Sequence, residues 1–169
     1  MIDQHGFWKD FKNHLETKRL LAKHQLITTP SDFDSLVHAV ATCWMKLAVL
    51  HLKEVKEFSS LRFRRSFYSR GYYAVYNASK SIRYLASGHV SAKGDDHQKV
   101  SDLPDDFPDV GLWGSFLRDM YKNRLVADYD GWPNSSRRLN TDMKTTLQRC
   151  NKFIKISKEY ARNKFGVRL

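Results

Sequence analysis

Cysteine, proline and glycine are scarce in this 169-residue sequence: two Cys, four Pro and eight Gly. Two thiols, Cys43 and Cys150, form no CxxC pair, which leaves no zinc knuckle and no disulfide framework to hold a small fold. Both lie within apolar helical patterns, so buried thiols are expected. So few turn formers disfavour an all-β domain built from many short strands. The start, Met1-Ile2-Asp3-Gln4-His5, has neither a basic stretch nor an apolar run, and no signal peptide is expected. The most apolar stretch, Cys43 to Leu52, is interrupted by Lys46 and His51 and is too short to span a bilayer. A cytoplasmic protein with no membrane association follows as the expectation.

Acidic residues are also in deficit. Asp plus Glu is 18 against 29 Lys plus Arg, a formal charge of +11. Such an excess favours a polyanionic partner such as RNA, DNA or an acidic protein. The charge is segregated along the chain. Residues 137–169 hold ten bases and two acids, whereas residues 95–130 hold nine acids and four bases. Basic helices closing on the acidic middle, within one chain or across a dimer, would account for the same pattern without nucleic acid.

Hydrophobic residues make up 41% of the chain and 13% is aromatic, enough for a single core over residues 1–169. Apolar positions recur by threes and fours, which predicts an all-α bundle of four to five helices running up and down. The first runs from about Phe7 to Lys23. A break at Thr28-Thr29-Pro30-Ser31 precedes the second, with Ser31 or Asp32 as N-cap and Phe33, Leu36, Val37, Val40, Trp44, Leu47, Ala48, Val55 and Phe58 inward. The third is predicted from Leu61 to Ser87, capped by Ser60 and stopped by Gly88. Its small Gly71, Ala74 and Ala78 allow a close helix approach, and it carries six basic residues and no acid. An irregular stretch, His89 to Pro108, leads to a fourth helix from Val110 to Tyr129. Ser135 or Ser136 caps the fifth, which reaches beyond Tyr160.

Two segments carry a family resemblance. Arg70-Gly71-Tyr72-Tyr73-Ala74-Val75-Tyr76-Asn77-Ala78-Ser79-Lys80 is similar to an R-x-Y-Y-A-x-F/Y-x-A-x-R/K run on a long helix of HEPN domains. Leu117 to Asp130, ending Arg124-Leu125-Val126-Ala127-Asp128-Tyr129-Asp130, resembles the L-x-x-x-R-x-x-A-D-Y-D helix end of the HEPN branch often encoded beside minimal nucleotidyltransferases. Between them, Gly88 and His97-Gln98-Lys99-Val100 are similar to that branch's G…H-x-x-V stretch. The resemblance covers Arg70 to about Asp130.

It implies a helical bundle, commonly a homodimer, from a prokaryotic toxin–antitoxin or defence system. Many such proteins are metal-independent ribonucleases that pair an arginine with a histidine four to six residues on. The chemistry is sensible: a base takes the 2′-hydroxyl proton and a cation meets the crowded phosphate. No cofactor or metal is implied. Here no histidine follows Arg124 within that window, nor anywhere after His97. Asp128 or Tyr129 would then have to assist Arg124. Arg70, Tyr73, Asn123 and His97 are the expected RNA-binding residues, with tyrosines stacking bases.

Blander readings stand beside these. Arg124 on an apolar face needs a partner, and Asp128 lies one helical turn on, at i+4. Tyr129 at such a position is more often a core tyrosine with a bonded hydroxyl than a site, and Arg70 reads as an ion-pair partner of the acidic loop. The pair Arg19 and His24 satisfies the arginine–histidine spacing but lies on the first helix, outside the resembling segment. Without a working base, the chain would be a HEPN module that binds a protein such as a nucleotidyltransferase.

Overall fold

In the computed structural model the described residues are 16, 18, 19, 23, 30–61, 63–88, 90, 95–131, 139 and 142–169. Four α-helices account for most of them: α1 (Pro30–Ser60), α2 (Arg64–Ser87), α3 (Val110–Tyr129) and α4 (Met143–Phe165). A single 3₁₀ turn, Asp95–His97, sits in the connection between α2 and α3. The chain is an all-α bundle, and no strand occurs among the described residues.

Helix α2 is the central rod. It packs against α1, α3 and α4, and α1 also meets α4. Sixteen of its residues are buried, including Tyr68, Tyr72, Tyr76 and Tyr84. Gly71 explains the close approach on one side. A Cβ there would come within 2.9 Å of Met120 Cε on α3 and 3.9 Å of Val55 on α1. Farther along the same pair of helices, Tyr84 of α2 meets Trp44 of α1 edge-on, with ring centroids 5.1 Å apart. At the other end of the chain, Phe153 of α4 fits between Phe107 and Trp113. Each such buried aromatic contributes on the order of 1.5–3 kcal/mol over an exposed one.

The ends of the helices follow local chemistry. Gly88 takes a left-handed φ of 69° and returns its N–H to Tyr84 O, closing α2 where the sequence predicts. Asp142 caps α4 by accepting from Thr145 N at 2.9 Å. The predicted limits of α3 coincide with the observed ones. Other expected boundaries move. Helix α1 starts at Pro30, the residue type suited to a first turn, so Ser31 lies inside it and does not cap it. Ser60 does not cap α2: it ends α1, its hydroxyl donating to Glu57 O at 2.7 Å, and α2 begins after Phe63. Asp142, and not Ser135 or Ser136, caps α4, which begins at Met143; those serines, most of the expected first helix and His24 lie outside the described residues.

Cys150 is buried as expected, and burial pushes its thiol up to about 12. Cys43 is exposed, because it falls on the outer face of α1 between the inward Val40 and Trp44, and Leu47, expected inward, lies one turn on along that outer face and is 39% exposed. The stretch Phe33–Ser60 is longer than the apolar segment read from sequence, and by length and composition it could cross a membrane. Its apolar face is the core face of α1, where Phe33, Ala41, Met45, Ala48 and Val55 are at most 1% exposed.

The charge segregation closes within one chain. Arg83 of α2 pairs with Asp96 of the 3₁₀ turn at 2.8 Å, and Lys164 of α4 pairs with Asp106. Tyr160 donates to the other Asp106 oxygen at 2.7 Å. The acidic connection is thereby strapped to the two basic helices.

Candidate functional site: an arginine among tyrosines and two histidines

The last turn of α3 presents Arg124, Asp128 and Tyr129. The Arg124 side chain is 10% exposed, buried enough that its charge must be met by specific partners. Nη2 donates to Tyr73 Oη at 3.0 Å and to Tyr129 Oη at 2.9 Å. Nε lies 2.7 Å from Asp128 Oδ2, a charge contact whose N–H is not aimed well enough to form a hydrogen bond. The guanidinium carbon sits 4.7 Å from the Tyr129 ring centre, 5.6 Å from Tyr73 and 6.0 Å from Tyr72. Burial works against this charge, but the Tyr73 hydroxyl, Asp128 and Tyr129 outweigh it and hold the guanidinium protonated. Nη1 meets no protein acceptor among the described residues.

Helix α2 builds the aromatic floor. Tyr72, Tyr73 and Tyr76 stand at i, i+1 and i+4, with Tyr72 and Tyr76 stacked at 5.6 Å. The 3₁₀ turn lays His97 on that floor, 4.5 Å from Tyr76 and tilted by 29°. Its Nδ1 is 2.8 Å from Tyr72 Oη. Burial raises the Tyr72 hydroxyl far above its ordinary value, so it keeps its proton. Tyr72 has no other hydrogen-bond partner among the described residues, so its O–H is assigned as donor to His97 Nδ1. His97 then carries its own proton on Nε2. Burial, followed by the positive field of Arg124, pulls the His97 pKa down and keeps the ring neutral at pH 7.

What fixes the turn is Asp96, 2% exposed. It accepts from Arg83 Nη1 at 3.1 Å, Arg83 Nη2 at 2.8 Å and Tyr76 Oη at 2.8 Å. Burial alone would raise this carboxyl. The Arg83 hydrogen bonds and charge, then Tyr76 and Lys80, overcome that and hold it at about 2.

A second histidine arrives from α1. His51 Nδ1 is 3.0 Å from Glu54 Oε2, one turn along the helix, and its ring lies 5.8 Å from Tyr73. Arg70 Nε reaches the same Glu54 oxygen at 3.4 Å. Beside the cluster, Arg65, Arg70, Ser66, Ser69, Phe58 and Asp128 line a cleft of about 240 Å³. Arg65 closes its rim by donating to Asp130 O at 2.8 Å.

The structure thus gathers most of the residues expected from sequence. Arg124, Asp128, Tyr129, Tyr73 and His97 share one cluster. The Arg124–Asp128 pair takes the i, i+4 form anticipated as the bland alternative. Tyr129 is not a core residue: it is 68% exposed, because α3 ends there, and Arg124 meets both its hydroxyl and its ring face. Arg70 pairs with Glu54 of α1 and not with the acidic loop, whose Asp96 and Asp106 are met by Arg83 and Lys164. Asn123 is half-buried and makes no hydrogen bond to the cluster among the described residues. Sequence reasoning missed His51 and Glu54. Their i, i+3 spacing was visible, but nothing in the sequence placed α1 against Tyr73.

No protein-family model, curated protein or solved structure matches this chain.

Proposed function

We propose that this chain is a HEPN-like protein of a prokaryotic toxin–antitoxin or defence system that acts on RNA, with Arg124 as the phosphate-binding cation. The carrying observation is Arg124 itself: a charged guanidinium among tyrosines, with one nitrogen that meets no acceptor among the described residues and a neutral imidazole in the same cluster. Guanidinium meets phosphate oxygens with directed hydrogen bonds, and stacked tyrosines accept an unpaired base. Arg65 and Arg70 in the adjoining cleft extend the positive track for a single strand. Tyr73 orients Arg124 by its hydroxyl. The imidazole that the resemblance expects after Arg124 comes here from upstream, as His97, whose Nε2–H is a donor to a phosphate oxygen.

The active unit in this reading is a homodimer. Leu125 and Tyr129 on α3, and Leu47 and Leu50 on α1, are exposed apolar side chains on the turns that carry Arg124 and His51. A second copy covering them would set two clusters on one groove.

One observation favours a second reading. Asp128 already compensates the Arg124 charge, as in an ordinary helical ion pair. In that reading the module has lost catalysis and binds a protein partner such as a nucleotidyltransferase. Induced expression separates the two. Growth arrest that Arg124→Ala abolishes, together with RNA cleavage by the purified chain, supports the ribonuclease. Normal growth with stoichiometric co-purification of a neighbouring gene product, and no RNA binding, supports the partner module and removes the first reading.

A further inference from the structure

The dyad of His51 and Glu54 lies outside both segments that carry the family resemblance. Its geometry fixes a tautomer. A carboxylate oxygen only accepts, so the His51 Nδ1 that sits 3.0 Å from Glu54 Oε2 carries the proton. In the neutral ring the lone pair is then on Nε2, which has no protein partner among the described residues. His97 shows the opposite arrangement, its Nδ1 filled by the Tyr72 hydroxyl and its proton on Nε2. The two imidazoles of the cluster therefore have different chemical aptitudes. One offers a lone pair backed by a carboxylate; the other offers an N–H.

We infer that His51 is the general base of the site, positioned by Glu54, and that its substrate is the ribose 2′-hydroxyl of single-stranded RNA. This rests on the ribonuclease reading of Arg124 and names the group that reading lacks. His51 Nε2 removes the 2′-hydroxyl proton as the 2′-oxygen bonds to phosphorus. The bond from phosphorus to the 5′-oxygen breaks, and that oxygen takes a proton from water. The products are a 2′,3′-cyclic phosphate and a 5′-hydroxyl end, and the proton on His51 returns to solvent. Arg124 and the Nε2–H of His97 meet the non-bridging oxygens while charge accumulates on them. Tyr73, whose ring touches His51, His97 and Arg124, is the hub that holds the three together. Arg70 steadies Glu54 from its other side.

Two features make His51 the better base than Asp128. Asp128 is committed to Arg124, and proton transfer to it would cost that pair. His51 is backed by a carboxylate that stabilises the imidazolium once formed, the role of an orienting acid in hydrolytic triads.

The test uses the full chain and a fluorescent single-stranded RNA, with a second RNA in which every ribose is 2′-deoxy except for one scissile-site uridine. Binding and single-turnover cleavage are measured separately for wild type, His51→Ala, His51→Gln and Glu54→Gln, after circular dichroism confirms helical content. The expected result is a cleavage rate lowered by about 100-fold or more in both His51 variants at unchanged affinity. Free imidazole should restore part of the His51→Ala rate, and cleavage should leave a cyclic phosphate at the single ribose. Wild-type cleavage that persists at full rate in His51→Gln overturns the base assignment and leaves Arg124 in place. RNA binding without cleavage in the wild type overturns the base assignment together with the nuclease activity, and keeps only the binding role. No RNA binding at all removes the reading beneath it.

Discussion

Arg83 closes both arms of its guanidinium on the Asp96 carboxylate, at 3.1 and 2.8 Å, inside a bundle where both side chains are at most 6% exposed. The pair fastens the 3₁₀ turn to α2 and thereby sets His97 on the tyrosine floor. Breaking it from one side strands a buried charge. Asp96→Ala should destabilise the chain by about 3–5 kcal/mol, read as a shift of the urea midpoint. Removing both partners, Arg83→Met with Asp96→Leu, should restore much of that stability. It should not restore the His97 environment, which depends on the turn. A loss below 1 kcal/mol for Asp96→Ala would mean that the pair is solvated.

The same carboxylate gives a pH signature. The folded-state pKa of Asp96 is about 2, below its ordinary 3.8. A depressed acid favours the folded state above the unfolded pKa, and that contribution drains as pH falls from about 4 toward about 2. Its size is on the order of 2 kcal/mol. Urea unfolding followed across that interval should show the decline in the wild type. Asp96→Asn should be less stable at neutral pH and flatter across the interval.

His97 should titrate below its ordinary 6.5, because burial and then the Arg124 charge oppose its protonation. Its folded pKa lies under the unfolded one, so the folded state loses stability as pH drops below 6.5. Arg124→Ala removes the largest of the charges that oppose protonation, leaving burial and the smaller fields of Lys80 and Arg83, and should move the His97 midpoint upward. Imidazole proton shifts from NMR measure this directly. A His97 midpoint that ignores Arg124 would separate the two groups in space.

At Gly71, side chains of α1 and α3 both reach α2. An alanine Cβ would press on Met120 Cε at 2.9 Å, the free end of a flexible side chain that is able to turn aside. The gain in helix propensity, about 1 kcal/mol, then offsets the repacking. Gly71→Ala should leave the thermal midpoint nearly unchanged, whereas Gly71→Leu should lower stability by about 1–3 kcal/mol through overpacking.

The sequence carried the helix interiors well because they depend on periodicity and stop signals. Gly88 ends α2, Val110–Tyr129 is α3, and Gly71 with Ala74 and Ala78 marks the close packing face. The beginnings of α1 and α2 were misplaced because Ser31 and Ser60 have the chemistry of caps without the backbone position. Local pairs were legible for the same reason: Arg124 and Asp128 lie one turn apart. His51 against Tyr73, and Tyr72 against His97, are products of packing between elements distant in sequence, and no spacing rule reaches them. The acidic loop was legible as a countercharge to the basic helices, but which base met which acid was decided by the fold.

RNA affinity as a function of salt, wild type beside Arg124→Ala, tests the central claim most directly. If Arg124 grips a phosphate, affinity falls steeply with salt in the wild type. The variant then binds more weakly for every RNA sequence, and its log–log slope is shallower by about one unit. A flat salt response, or identical curves for the two proteins, would contradict the assignment of this guanidinium to nucleic acid.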